Sequence, residues 1–259
     1  MKFRIALGAV VVMVLSAVAA TGIASAAPGN NYTCTGGSIP GGNYASITVT
    51  GFCDIVPEAV INVTGNINVA PGALLDAQSA PSTITVGHNI TAGAGSLLGL
   101  GCQPSNTIAR FAGVPCADPY GAEQTIITVN GNISATDADT VLIRKVTVGG
   151  NVSLSGGGGE IPWSIKGNTI GGNLTISDVA ADWLGVQFNW IGGNASLTNI
   201  TALDPGDPGR SVAVVENTVG NNLNCSGLAP AVSPGFIPGE TNHVGHKATG
   251  QCAAISVPL

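Results

Sequence analysis

Charged residues make up only 8% of this chain, so the places where they gather are the first to search for chemistry. The densest group is Asp137, Asp139, Arg144 and Lys145. Carboxylates beside an arginine base suit a polysaccharide lyase, and a carboxylate pair flanking a glycosidic bond suits a glycoside hydrolase. Either enzyme needs further groups, and Asp178 or Asp182 could be brought up by stacking of neighbouring segments. A solvated turn entering the apolar run Val141-Leu142-Ile143 is the simpler account. Polygalacturonase-type signatures are missing, since Asn168-Thr169 is followed by Ile170 and Gly87-His88 by Asn89. His88 and His246 lie too many repeats apart to share a ligand, and His243 lacks a third partner. No metal site or Ser-His-Asp arrangement follows from these spacings, and no cofactor is expected. The residues favour a protein that is not an enzyme.

Two other residue types carry chemistry. An exposed indole offers a sugar ring a flat apolar face and a polar edge, and Trp183 and Trp190 are the two placed to do so. Trp163 falls in an apolar column and belongs to the core. The six cysteines, Cys34, Cys53, Cys102, Cys116, Cys225 and Cys252, contain no CxxC pair and no Cys/His cluster. They read as three disulfides made in an oxidising compartment. Among many connectivities, pairing of sequence neighbours is the economical one: Cys34 with Cys53, Cys102 with Cys116, Cys225 with Cys252.

The elements that must position these residues announce themselves as a repeat. Ile170-Gly171-Gly172-Asn173-Leu174-Thr175-Ile176 recurs in altered form, closing at residues 66, 89, 132, 151, 173, 194, 222 and 247, with Lys247 replacing Asn in the last. The steps are 23, 43, 19, 22, 21, 28 and 25, and the step of 43 predicts one degenerate coil around Cys102 and Cys116. A period near 22 without a leucine-rich signature points to a β-solenoid. After each closing Asn, apolar residues alternate with Ser or Thr, as in Leu174-Thr175-Ile176-Ser177, which marks a strand with one buried face. The Gly pair before it is expected to supply positive-φ turn residues. Each coil then reads as strand, tight turn, strand and looser loop. A second column, Asn168, Asn189, Asn217 and Asn242, predicts a ladder of stacked amides in the C-terminal half. Ile165, Val186, Val214 and Gly239 precede its members by three residues. The fold expected is all-β: a right-handed parallel β-helix, a single-stranded solenoid of about nine or ten coils. The segment 204–210 and the run Gly156–Gly159 read as loops on its flank.

Residues 1–26 read as a secretory signal peptide, with Lys2 and Arg4, an apolar stretch and an Ala24-Ser25-Ala26 cleavage site. Residues 27–259 then form one β-helix domain, secreted or extracellular and without a membrane span. Without Lys2 and Arg4 six basic residues face fourteen acidic ones, which argues against nucleic acid and anionic membranes as partners. Nine N-x-[ST] sites, from Asn31 to Asn224, follow from the strand alternation itself.

The tail Asn242-His243-Val244-Gly245-His246-Lys247-Ala248-Thr249-Gly250-Gln251-Cys252 and the preceding Asn217-Thr218-Val219-Gly220-Asn221-Asn222-Leu223-Asn224-Cys225 resemble the N-x-V-x-G-x-K-x-G-Q-C and N-T-V-G-G-N-L-x-C patterns of small secreted actinobacterial repeat proteins. The likeness covers about residues 160–252 and implies an exported bacterial β-helix, with no catalytic residues to carry over. Asn221 for Gly and His246 for a small spacer are its departures. The expected role is structural, adhesive or surface-associated, through a flat Thr/Ser/Asn face. The alternative is a carbohydrate-active or carbohydrate-binding β-helix with a pectate-lyase-like fold, whose partner is extracellular polysaccharide or cell-wall material. Ice binding, suggested by Thr48-Val49-Thr50 and Thr83-Ile84-Thr85, ranks below both, because these units do not recur at the period. The spacing leaves the oligomeric state open.

Overall fold

A computed structural model describes residues 29–78, 81–102, 125–204, 212–234 and 239–259. The expected leader, residues 1–26, and Cys116 lie outside them, as do residues 205–210. Every strand pair in the described residues is parallel, in sheets of nineteen and nine strands. The chain is a parallel β-helix with three faces. The first face holds the strands that enter the Gly turn, such as Val146–Val148 and Trp190–Ile191. The second holds those that leave it, such as Val152–Ser155 and Ala195–Ala202. A third face, including Thr140–Arg144, Trp163–Lys166, Leu184–Gln187 and Val212–Val215, occupies what the sequence presents as a looser loop. Its strands are short and the lengths of chain before them vary, although Ile165, Val186 and Val214 keep a fixed offset of three residues before the asparagine column.

Alternation builds the core directly. On the first face Val86, Val129, Val148, Ile170, Ile191, Val219 and Val244 stack inward in one register. All are fully buried. Packing is tight: an interior void lined by Ile47, Ile61, Ile84 and Ile127 measures about 10 Å³. Its lining is wholly apolar and offers a water no hydrogen-bond partner.

Three expectations are corrected. The step of 43 holds no coil of its own in the stack, because Ile127 pairs directly with Ile84 and Ile133 with Ile90. Residues 103–124 are an insertion between adjacent coils. The turn glycines Gly149, Gly150, Gly171, Gly172, Gly192 and Gly193 do not have positive φ. Their reason is close approach. A Cβ at Gly171 would run into the Gly149 carbonyl of the coil before, and one at Gly172 into Asn151 Oδ1. Positive φ sits instead at the other two corners, at Asp137, Asp178 and Asn199 and at Lys145, Phe188 and Glu216. Third, the looser loop expected in each coil contains a strand of its own, on which Ile165, Val186 and Val214 share one inward column.

Both asparagine columns form ladders. Buried Asn189 makes four side-chain bonds: its Nδ2 donates to Asn217 Oδ1 (2.9 Å) and Ile165 O (2.8 Å), and its Oδ1 accepts from Asn168 N (3.0 Å) and Nδ2 (2.9 Å). A buried amide with all its bonds made carries no desolvation penalty. Asn242 closes this row by donating to Ile255 O of the C-terminal segment. The closing asparagines form a second, exposed row, in which Asn173 N and Nδ2 donate to Asn151 Oδ1 at 2.8 and 3.2 Å. Its bonds run toward the preceding coil, whereas those of the buried row run toward the next.

The ends are closed by disulfides and short strands. Cys34–Cys53 joins the first coils and Cys225–Cys252 the last. Cys102 is also disulfide-bonded. Ser256–Pro258 folds back onto Asn242–Val244, placing Pro258 where the next coil would pair. A proline there has no N–H for another strand and blunts the edge.

Candidate functional site

Three surfaces follow from the three faces. On the second face, outward residues at each strand's centre form one unbroken row. It begins Thr33, Thr48, Asn68, Thr91, Ser134 and continues Ser153, Thr175, Ser196, Asn224, Thr249. A second row, two residues further along, holds Thr136, Ser155, Ser177, Thr198 and Ser226. Pleat geometry spaces members about 4.8 Å apart along the axis and the rows about 7 Å apart. The result is a flat lattice of short hydroxyls and amides. Thr91 Oγ1 donates to Asn68 Oδ1 and Thr249 Oγ1 to Asn224 Oδ1, which holds those groups in place.

The first face carries Trp190, 49% exposed, in register with Thr169, Thr218 and His243. Beside it Thr125, Ile126, Lys145, Thr147, Gly167 and Thr169 line an open groove of about 640 Å³. A groove of this size can take a few sugar rings, and Trp190 stands at its margin.

The third face gathers the charges that the sequence singles out, but splits them. Asp137 and Asp178 share one corner, two coils apart with Gly156 between, and Asn199 Nδ2 donates to Asp178 Oδ1 at 3.1 Å. Asp139 stands near them, before the strand Thr140–Arg144. Arg144 is at that strand's far end, about 16 Å away at the usual rise per residue. The arginine and carboxylates that a lyase would combine are therefore not brought together by these residues. Among the described residues no group of three His, Cys, Asp or Glu side chains could hold a metal ion.

At the cationic corner Arg144 is in register with Lys166 of the next coil. Arg144 Nε donates to Ser164 Oγ at 3.1 Å. Burial lowers the Arg144 guanidinium to about 10. Burial, and then repulsion from Arg144, lowers Lys166 to about 8. Lys166 Nζ stands 5.1 Å above the Trp183 ring, and that ring lies flat over Gly185, where a side chain would collide with it. Trp183 Nε1 is buried without an acceptor. Trp183 and Trp190 thus stand on different faces and make no common platform, and both faces of the Trp183 ring are occupied. Trp183 serves as a cation–π partner of Lys166. Trp163 is buried, with its Nε1 donating to Asp139 O at 3.0 Å.

The Arg144–Lys166 pair, 22 residues apart, escaped the sequence reading because no basic residue recurs at their position, although each lies two residues before its place in the asparagine column, Val146 and Asn168. Only the third-face register shows that they meet. No protein-family model matches this chain, and neither a curated protein nor a solved structure shows significant similarity to it.

Proposed function

We propose that this is a secreted, non-enzymatic β-helix of the kind found in small actinobacterial repeat proteins, which adheres to extracellular or cell-wall polysaccharide through its second face. The carrying observation is the unbroken row of outward Thr, Ser and Asn from Thr33 to Thr249, repeated at the coil spacing. A flat, uncharged lattice of hydroxyls suits a partner that is itself extended and periodic, since many weak polar contacts add along its length. Disulfides at both ends agree with an oxidising compartment.

The test is co-sedimentation of the secreted protein with insoluble cellulose, chitin and peptidoglycan. The wild type is expected to pellet with at least one of them. A variant with Ser153→Lys, Thr175→Lys and Ser196→Lys, folded by circular dichroism, is expected to stay in solution. Equal pelleting of both proteins, or of neither, would overturn the reading. A second reading rests on Trp190 and the first-face groove, which fit a soluble oligosaccharide. Loss of binding in Trp190→Ala with the second face intact would favour it.

A further inference from the structure

Arg144, Lys145 and Lys166 are three of the eight basic residues in the whole chain, and they occupy one corner of two adjacent coils. Such concentration in an acidic protein calls for an explanation. Among the described residues neither Arg144 nor Lys166 is paired with a carboxylate, although both are half-buried. Arg144 has only the neutral Ser164 hydroxyl as an acceptor, and Lys166 only the face of the Trp183 ring. Lys166 rests on the Trp183 ring, and the buried Trp183 N–H has no acceptor of its own. Two like charges held in register about one coil spacing apart cost energy unless a negative group joins them.

We propose that the outer surface of the third face is a binding site for an oxyanion group, with Arg144 and Lys166 as its charged donors and Trp183 Nε1–H as a neutral one. Arginine presents a planar fork matched to carboxylate, sulfate or phosphate oxygens, and lysine adds a point charge. Gly185 keeps the site open to the indole, because any side chain there would displace the ring that carries Lys166. This is separate from adhesion by the second face, which contributes none of these residues. An acidic saccharide fits an extracellular setting best; free inorganic anions share the same chemistry.

The experiment is a titration of the full secreted chain with galacturonate, neutral galactose, sodium sulfate and inorganic phosphate at constant ionic strength, followed by calorimetry. At least one anion is expected to saturate while galactose does not. Selective binding of galacturonate would assign the site to acidic sugars, and binding of sulfate or phosphate alone would assign it to free anions. Lys166→Gln is expected to weaken binding about tenfold or more, as loss of a charge-assisted bond does. Trp183→Phe keeps the ring under Lys166 and removes only the N–H, so a smaller loss is expected. No saturable anion binding, or unchanged affinity in folded Lys166→Gln, would overturn the proposal.

Discussion

Gly172 shows how closely each residue is constrained by the coil before it. The exposed Asn ladder has N···Oδ1 distances of 2.7 to 2.8 Å wherever a glycine precedes the donor, as at Asn151, Asn173 and Asn194. Where His88 or Asn221 takes that position the distances lengthen to 3.0 and 3.2 Å. A Cβ is tolerated there only by stretching the ladder. Gly172→Ala should therefore destabilise the protein by about 1–3 kcal/mol, the range of overpacking, in urea unfolding. Lys166 supplies a second prediction. Its pKa is about 8 when folded against an ordinary lysine value of 10.5, so unfolding takes up a proton between those limits. Stability should rise as pH climbs through that window. Lys166→Met removes the penalty, so it should melt above the wild type at pH 7, with the gap closing by about pH 10.5. Arg144 titrates above most of that window and leaves the sign unchanged.

The two ladders differ as elements because one is buried and the other is wet. Replacing Asn189 by Ala would remove the acceptor of Asn168 N and the side-chain donor to Ile165 O inside the solenoid, while Asn217 Oδ1 keeps the backbone N–H of residue 189. The loss should be about 3 kcal/mol or more. At Asn173, exposed, water can replace the missing partner, and Asn173→Ala should cost about 1 kcal/mol. Equal losses in chemical denaturation would contradict this difference. Both columns could be read from the chain, because a residue type recurring at one offset is what a coil repeat writes into a sequence. The first two faces were legible for the same reason. The third face was legible in part: Ile165, Val186 and Val214 stand three residues before the asparagine column, but Trp163–Lys166, Leu184–Gln187 and Val212–Val215 follow stretches of unequal length and read as loop rather than strand. The cationic corner depends on that register. Turn glycines were visible as types, yet their reason lay in the neighbouring coil, which no local pattern displays.

On the scale of the molecule, each coil touches only its neighbours, so stability is a sum along the stack and the ends open first. The final coil is tied by Cys225–Cys252, which stand 27 positions apart in sequence. Replacing both cysteines by Ser should cost about 3 kcal/mol by loop entropy. Hydrogen exchange should then quicken in residues 239–259 and leave Val129 to Ile191 protected. Uniform quickening would mean that the stack unfolds as one unit. The strands before and after residues 103–124 pair directly, so 22 extra residues of chain leave the register undisturbed.

The opposed directions of the asparagine rows have a bearing on how such a chain could lengthen. A single row of aligned amides adds its dipoles, and every duplicated coil would raise the field at the two tips. Over the coils from Asn168 to Asn222 the buried row and the exposed row point opposite ways. Their fields offset each other coil by coil. Gene duplication could extend that half of the protein without polarising it.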